Sequence, residues 1–315
     1  MLQEREHMLR ILVLEPEYFD SDAIKKLKTI GPVTAKRMNR AELIRRVKDF
    51  DILVVRIEAK LDNEVLSRAV KLKAIGSATT GLNHIDLEYA RKHGIKIFNL
   101  HGAHTVPTAQ YTMALILSLM RNVPWAYESL SGGKWHRYKF IGTQLDGKRL
   151  GIIGLGRIGS VVCKYAQAFG MDVAYYDPYV SSKIAKKVSL NTLLKSSDVI
   201  TVHASLNRTS SDELNDKEIS LIKNGAFLVN TARAELIDYR SLLKALKSKR
   251  ISGAAVDVFR HEPISIHEKE LLEYAKHNKN LIITPHLGAS TYEALHHAGL
   301  EIASNLAKEF RKRGS

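Results

Sequence analysis

The sequence predicts an α/β chain of two doubly wound, parallel-sheet domains with a cleft between them, on three observations. Short apolar runs of strand length alternate with amphipathic stretches of helix length through most of the 315 residues. The alternation is interrupted by one long apolar segment, residues 108–120, and then begins again. One strand-to-helix junction in the second half carries Gly154, Gly156 and Gly159, and no junction in the first half has such a turn.

In the first half, residues 11–14, 51–55, 72–75 and 95–98 are apolar runs that suit buried strands. Between them, residues 22–28, 41–48 and 85–92 place apolar side chains at helical spacing. Residues 108–120 read as a buried helix. In the second half the strand candidates are 150–154, 172–176, 199–203, 227–230, 253–258 and 281–284. Helical stretches at 157–166, 190–195, 216–221 and 239–246 separate them, and a last helix, 291–311, follows the final strand and is free to return to the first unit. The domains expected are 1–104 plus 288–315 for substrate and 105–287 for a dinucleotide. No soft, low-complexity linker joins them, which makes a cleft the natural substrate site.

The glycine junction carries the most chemistry. A strand, Gly-x-Gly-x-x-Gly, a helix with Ile158, Val161, Val162, Tyr165 and Ala166 on its apolar face, and a second strand ending at Asp177 follow one another. A dinucleotide fold needs these parts in this order. Gly154 permits the tight turn, Gly156 lets the backbone approach a pyrophosphate, and Gly159 lets helix pack on strand. The helix N-terminus offers unpaired N–H groups and partial positive charge to phosphate. Asp177 suits the ribose hydroxyls and repels a 2′-phosphate, so NAD is the expected cofactor rather than NADP.

Composition narrows the class. Hydrophobic content of 45% and charged content of 26% are those of a globular protein, and no apolar run has membrane-spanning length. Residues 1–10 are charged rather than signal-like, and a lone cysteine, Cys163, precludes an intrachain disulfide; both fit a reducing cytoplasm. Cys163 reads as a small buried residue of the glycine-motif helix. The net charge of +15 raises the question of nucleic acid, but the cations are dispersed along outer helix faces, as at Lys25/Lys26/Lys28, Lys183/Lys186/Lys187 and Lys308/Arg311/Lys312/Arg313. A solvated surface that attracts small anions is the expectation, with no specific nucleic acid, no membrane and no metal.

Three later segments supply reactive side chains at strand ends. Asn230-Thr231-Ala232-Arg233 puts an arginine after one strand, Asp257 lies at the end of the next with Glu262 five residues later, and Pro285-His286-Leu287-Gly288 follows the last. In an open parallel sheet the carboxyl ends of the strands face the ligand crevice. Hydride transfer at a hydroxyl carbon needs a proton shuttle working near neutral pH, a carboxylate to orient it, and a cation to hold a 2-oxo carboxylate. His286, Glu262 and Arg233 fill those roles in turn, and Asp257 either holds the nicotinamide amide or tunes the histidine–glutamate pair.

These motifs, in the order Gly-Leu-Gly-Arg-Ile-Gly, Asn-Thr-Ala-Arg, Asp-Val-Phe-x-x-Glu-Pro and Pro-His-Leu-Gly, resemble those of the D-2-hydroxyacid dehydrogenase family over nearly the whole chain. The resemblance implies two Rossmann-like domains, catalytic Arg233, Glu262 and His286, and an assembly of at least two subunits. It further implies cofactor contacts from Gly154, Gly156, Arg157, Ile158, Gly159, Asp177, His203, Ala204, Thr231 and Asp257. Within the family, residues 134–143, 168–179 and 284–291 are similar to the phosphoglycerate dehydrogenase branch. That likeness implies 3-phosphoglycerate as substrate, in serine biosynthesis, with Arg56 and Arg137 on its phosphate. Thr80 and Gly81 remain able to present backbone N–H groups to a carboxylate. The substrate loop departs from the branch in having Ser77 for an arginine and Thr79 for a glycine. A glyoxylate or hydroxypyruvate reductase and a non-catalytic NAD(H)-sensing protein are the alternative readings. With the chain ending at Ser315 one helix after the last strand, no C-terminal regulatory domain is expected.

Overall fold

A computed structural model describes residues 8–100, 102–205, 214–262, 264 and 268–310. Pro263 of the glutamate–proline motif and Arg311, Lys312 and Arg313 of the last basic group lie outside the described residues, as does most of the charged start. Two compact units are present, residues 1–104 with 290–315 and residues 105–289.

The first unit contains β1 (Ile11–Val13), α1 (Ser21–Lys28), β2 (Val33–Ala35), α2 (Arg40–Arg46), β3 (Ile52–Val55), α3 (Asn63–Leu66), β4 (Ala74–Ser77), α4 (Leu87–Lys92) and β5 (Lys96–Asn99). Its five strands are all parallel, in the order β2-β1-β3-β4-β5. Residues that alternate along a strand point to opposite faces, and the core divides accordingly. Leu12, Leu53, Val55 and Ile75 pack with Leu43, Val47, Leu66 and Ile85 on one face. Ile11, Val13, Ile52 and Val54 pack on the other with Leu27 of α1 and with Ile302 and Leu306 of the last helix.

The second unit contains α5 (Thr105–Met120), α6 (Val123–Ser131), β6 (Arg149–Ile153), α7 (Arg157–Ala168), β7 (Asp172–Tyr176), β8 (Lys186–Lys187), α8 (Leu190–Ser196), β9 (Val199–Val202), α9 (Asp216–Leu221), β10 (Phe227–Asn230), α10 (Tyr239–Lys247), β11 (Gly253–Val256), α11 (Lys269–His277) and β12 (Leu281–Ile283). Its seven parallel strands run β12-β11-β10-β9-β6-β7-β8. Leu150, Ile152 and Val229 pack on one face with Ile116 of α5 and Val162 of α7. Ile200, Leu228 and Val256 pack on the other with Leu194, Ile219 and Leu242. The last helix, α12 (Tyr292–Phe310), belongs to the first unit, where it packs on α1 and β4.

The sequence-predicted strands all form, with ends displaced by one or two residues. The largest change is β4, which runs to Ser77 instead of ending at Ile75. Gly76 extends the strand by pairing with Val54 and Phe98, and the absence of a side chain there makes room for Ile302 and Leu306; a Cβ would come within 2.6 Å of Ile302 Cγ2. The elements the sequence did not announce are the edge strands β2 and β8 and the helices α3, α6 and α11. β8 is two exposed lysines, a charged edge with no apolar signal to read. Among the described residues no helix is long and apolar enough to cross a membrane.

Candidate functional site

The β6–α7 turn is built as the glycines demand. Gly154 has φ +92°, a left-handed conformation that only glycine adopts cheaply, and it lies against the backbone of His203 and Ala204. A Cβ on Gly159 would strike the Gly154 carbonyl, so this glycine closes α7 onto the turn. At Gly156 a Cβ would meet nothing within 4 Å. That open space lies over the start of α7, which has no side-chain cap. Asp20, Asn39, Asp62, Asp86, Ser189, Asn215 and Asp238 cap other helices through side-chain oxygens, leaving fewer free N–H groups there. The twelve-residue α7 thus keeps its N–H groups for an external anion, and an extended pyrophosphate fits the cradle.

Every other sequence-predicted cofactor residue of this unit falls at the carboxyl edge of the same sheet. Asp177, after β7, is buried; its Oδ2 accepts from Leu155 N at 2.9 Å and its Oδ1 from Tyr179 and Val180 N at 2.8 and 2.9 Å. It therefore ties the glycine turn to the turn after β7 and leaves limited capacity for ribose hydroxyls. His203 and Ala204 follow β9. The His203 ring holds Thr201 Oγ1 through Nε2 at 3.0 Å, while its buried Nδ1 has no partner among the described residues. Burial pushes His203 down to about 3, so the ring is neutral. Thr231, after β10, shares a 2.8 Å hydrogen bond with Thr112 of α5. Arg157 and Ile158 occupy the first turn of α7, with Arg157 exposed.

The proton-transfer candidates meet beyond β10, β11 and β12. His286 Nδ1 lies 2.7 Å from Glu262 Oε2, with the two side chains 35% and 31% exposed. Glu262 Oε1 accepts from Phe259 N at 3.0 Å, which fixes the carboxylate from behind. Burial pushes Glu262 up, but the His286 hydrogen bond and charge, the Phe259 N–H and Arg233 outweigh it and hold the carboxyl below its ordinary range. Arg233 donates from Nη1 to the Ala232 carbonyl at 2.7 Å and makes no salt bridge among the described residues, so most of its fork remains available.

His286 itself has φ +55°, a left-handed backbone that a side-chain-bearing residue adopts only when its surroundings impose it. Asp257 imposes it. This fully buried aspartate accepts from Thr284 Oγ1 at 2.6 Å and from Leu287 and Gly288 N at 2.8 Å each, while its own carbonyl takes the His286 N–H at 2.8 Å. Burial pushes the Asp257 carboxyl up against these opposing hydrogen bonds. Both carboxylate oxygens serve the histidine turn, so of the two roles read for Asp257 the geometry supports positioning of the pair.

Sequence reasoning missed the supports beneath these groups. Asn230 donates to the Arg233 carbonyl at 2.8 Å and accepts from Ala232 N at 3.0 Å, shaping the arginine turn. Tyr239 OH donates to the Val258 carbonyl at 2.7 Å. The one available signal was a polar residue ending an apolar strand, which Asn230 and Thr284 share with Asp257. Cys163 is buried, and burial pushes its thiol up, as suits an inert core residue.

In the first unit, Arg56 follows β3, and Thr80 and Gly81 follow the neighbouring β4, so the three share one sheet edge. The Arg56 guanidinium stacks 4.6 Å above the Tyr18 ring, and burial pushes its pKa down. Its backbone N–H is held by the buried Glu15 carboxylate. Arg137 is exposed on a short 3-10 turn, Arg137–Phe140, 5.9 Å from the Tyr138 ring. Among the described residues, no hydrogen bond or ion pair brings it to the other second-unit candidates.

Residues 113–288 match the family described as D-isomer specific 2-hydroxyacid dehydrogenase, NAD binding domain. The chain is 41% identical over 311 residues to the D-3-phosphoglycerate dehydrogenase of Methanocaldococcus jannaschii, covering 96% of this chain and 58% of that protein. It thus spans little more than half the length of the curated relatives it matches. Among solved structures it is similar to the TT0316 protein of Thermus thermophilus, with TM-score 0.86, 33% identity and coverage of 95% and 96% of the two chains. It is also similar to the D-lactate dehydrogenase of Aquifex aeolicus complexed with NAD and lactic acid, with TM-score 0.83, 28% identity and coverage of 95% and 93%.

Proposed function

The chain belongs to the D-isomer specific 2-hydroxyacid dehydrogenase family, and from that premise we propose that it interconverts a D-2-hydroxy acid and its 2-oxo acid, with 3-phosphoglycerate as the hydroxy acid. NAD is the cofactor of the matched domain, and when bound it takes or returns the hydride. The α7 N-terminus, open at Gly156, would hold its pyrophosphate, with Asp177, His203, Ala204 and Thr231 along the same edge. The second unit is thus the NAD-binding domain and the first, with α12, the substrate domain.

The observation that carries the reading is the 2.7 Å contact of His286 Nδ1 with Glu262 Oε2 on a backbone turn held by Asp257. With Nδ1 engaged, Nε2 is the nitrogen left to accept the hydroxyl proton in oxidation and to return it in reduction. Glu262, held ionised, stabilises the imidazolium formed by that transfer. Arg233 holds the substrate carboxylate and polarises its 2-oxygen, assisted by the Thr80 and Gly81 N–H groups. Arg56 and Arg137 bind the phosphate.

The active assembly is a cytoplasmic homodimer serving serine biosynthesis. Support for the dimer comes from Val123, Tyr127 and Leu130, which lie at helical spacing on α6 and are exposed, together with exposed Trp135, Tyr138 and Ile141 in the next segment. Arg137 sits within this patch and would reach its substrate across the dimer.

One observation favours an unphosphorylated substrate instead. Ser77, where the similar branch has arginine, is fully buried and supplies no cation. The test follows NADH absorbance at 340 nm while the protein meets 3-phosphohydroxypyruvate, hydroxypyruvate, glyoxylate and pyruvate. Higher kcat/KM for the phosphorylated acid, lost in Arg137→Ala, supports the proposal. Preference for glyoxylate or hydroxypyruvate makes the chain a reductase. NADH binding without turnover makes it a sensor.

A further inference from the structure

The loop after β4 is held by polar side chains to which the proposed reaction assigns no part. Thr79 Oγ1 donates to the Gly81 carbonyl at 2.7 Å, and Ser77 Oγ lies 2.7 Å from Thr79 Oγ1 and 3.2 Å from His84 Nε2. A hydroxyl has one proton, so the direction of each bond follows. Thr79 spends its proton on Gly81 and must accept from Ser77. Ser77 then has only lone pairs for His84, which must carry its proton on Nε2. The chain therefore runs one way, from imidazole through two hydroxyls to a carbonyl. Ser77 is fully buried and Thr79 is 8% exposed, so water does not substitute for either partner. Burial pushes His84 down to about 4, leaving the ring neutral with a single N–H to place.

The same loop is held from other directions. Asn99 Nδ2 donates to the Thr80 carbonyl at 3.3 Å, and Leu100 N donates to the Thr79 carbonyl at 3.1 Å. Three successive carbonyls, those of Thr79, Thr80 and Gly81, are thus engaged by the protein itself. The N–H groups of Thr80 and Gly81 donate to nothing among the described residues. Adjacent unpaired N–H groups on a fixed backbone form a small anion nest, and the fixing is supplied by the carbonyl partners.

Resting on the reading of Thr80 and Gly81 as the carboxylate site, we propose that His84 is a positioning residue, setting through Ser77 and Thr79 the backbone that presents those two N–H groups to the carboxylate of a 2-oxo or 2-hydroxy acid. The bond count explains why this sequence uses Ser and Thr at 77 and 79: a relay needs an acceptor that is also a donor at both positions.

The test compares wild type, His84→Phe, His84→Gln and Thr79→Val in the full chain. Three quantities are read: NADH affinity by fluorescence, the affinity of the NADH-saturated protein for oxamate by calorimetry, and kcat and KM for hydroxypyruvate. Oxamate is an unreactive isostere of a 2-oxo acid. Loss of one positioning hydrogen bond is expected to weaken oxamate and raise KM about tenfold in His84→Phe and Thr79→Val, with NADH affinity kept within about twofold and kcat within about threefold. His84→Gln, which can place an amide N–H where Nε2 was, restores oxamate affinity to within about threefold of wild type. Unchanged oxamate affinity and KM in both disruptive variants overturns the proposal while leaving the dehydrogenase reading intact. Parallel loss of NADH affinity and kcat also overturns it, since the chain would then only maintain the fold. A wild-type protein that neither binds oxamate nor reduces any 2-oxo acid removes the dehydrogenase reading and this inference with it.

Discussion

At the residue scale, Glu262 takes Nδ1 of His286 and leaves the ring one nitrogen for proton transfer. Asparagine at 286 keeps a hydrogen-bonding side chain but moves no proton, so His286→Asn is expected to lower kcat about 10²- to 10⁴-fold. NADH affinity, measured by fluorescence titration, stays within about twofold, because the cradle of α7 is untouched. Glu262→Gln keeps size and loses charge. Its pH dependence has a definite sign: a carboxyl held below its ordinary range stabilises the native state above that range and loses the contribution as pH falls through the lowered folded value. The gap in urea midpoint between wild type and Glu262→Gln is therefore present at pH 7 and shrinks only below the ordinary glutamate range. These charged groups stood out in the sequence only as a set, each following a strand downstream of the glycine turn, because singly a histidine or a glutamate there has ordinary structural uses. Asn230 and Thr284 did not stand out, since a short neutral polar residue at a strand end is as often a turn former as a support.

At the scale of elements, the glycine turn separates binding from folding within six residues. Gly159→Ala drives a methyl into the Gly154 carbonyl, a backbone atom that cannot rotate away. The expected result is a loss of about 1–3 kcal/mol in unfolding free energy, read by urea titration, with NADH binding impaired as a consequence. Gly156 has φ −74°, ordinary for alanine, and open space where the methyl would go. Gly156→Ala should keep wild-type stability within about 0.5 kcal/mol and still weaken NADH at least tenfold, because the methyl occupies the place of the pyrophosphate. Equal effects of the two substitutions would deny Gly156 its binding role. The two sheets were legible because both faces of each are covered, so buried strands such as Ile52–Val55 are continuous apolar runs. Edge strands β2 and β8 have a neighbour on one side only and need no such run. The extension of β4 to Ser77 was hidden for another reason: Gly-Ser reads as a loop until Ile302 and Leu306, over two hundred residues on, are seen to demand the glycine.

For the molecule as a whole, two buried histidines should make it sensitive to acid. His84 in the first unit and His203 in the second are pushed by burial to about 4 and about 3. A histidine whose folded pKa is depressed costs nothing above its unfolded value of about 6.5, where both states are neutral. Below that value the unfolded chain takes up the proton and the folded one does not, so stability falls with pH until the folded pKa is reached. Each site then loses roughly 1.4 kcal/mol per pH unit, or about 2 kcal/mol each on going from 6.5 to 5. The net charge of +15 pushes the same way, since it grows as carboxylates and surface histidines take up protons. Salt separates the two causes. Repulsion among exposed charges is largely screened at about 0.5 M salt, whereas the cost of charging a buried ring is not. Calorimetric unfolding at about pH 7, 6 and 5 in high salt should still show the decline, and His203→Gln, which cannot titrate, should flatten it by about one proton's slope. Because His84 and His203 lie in separate units, adding His84→Gln should remove a second, independent share. A decline that vanishes in salt, or one the double variant leaves untouched, would assign the acid sensitivity to surface charge instead.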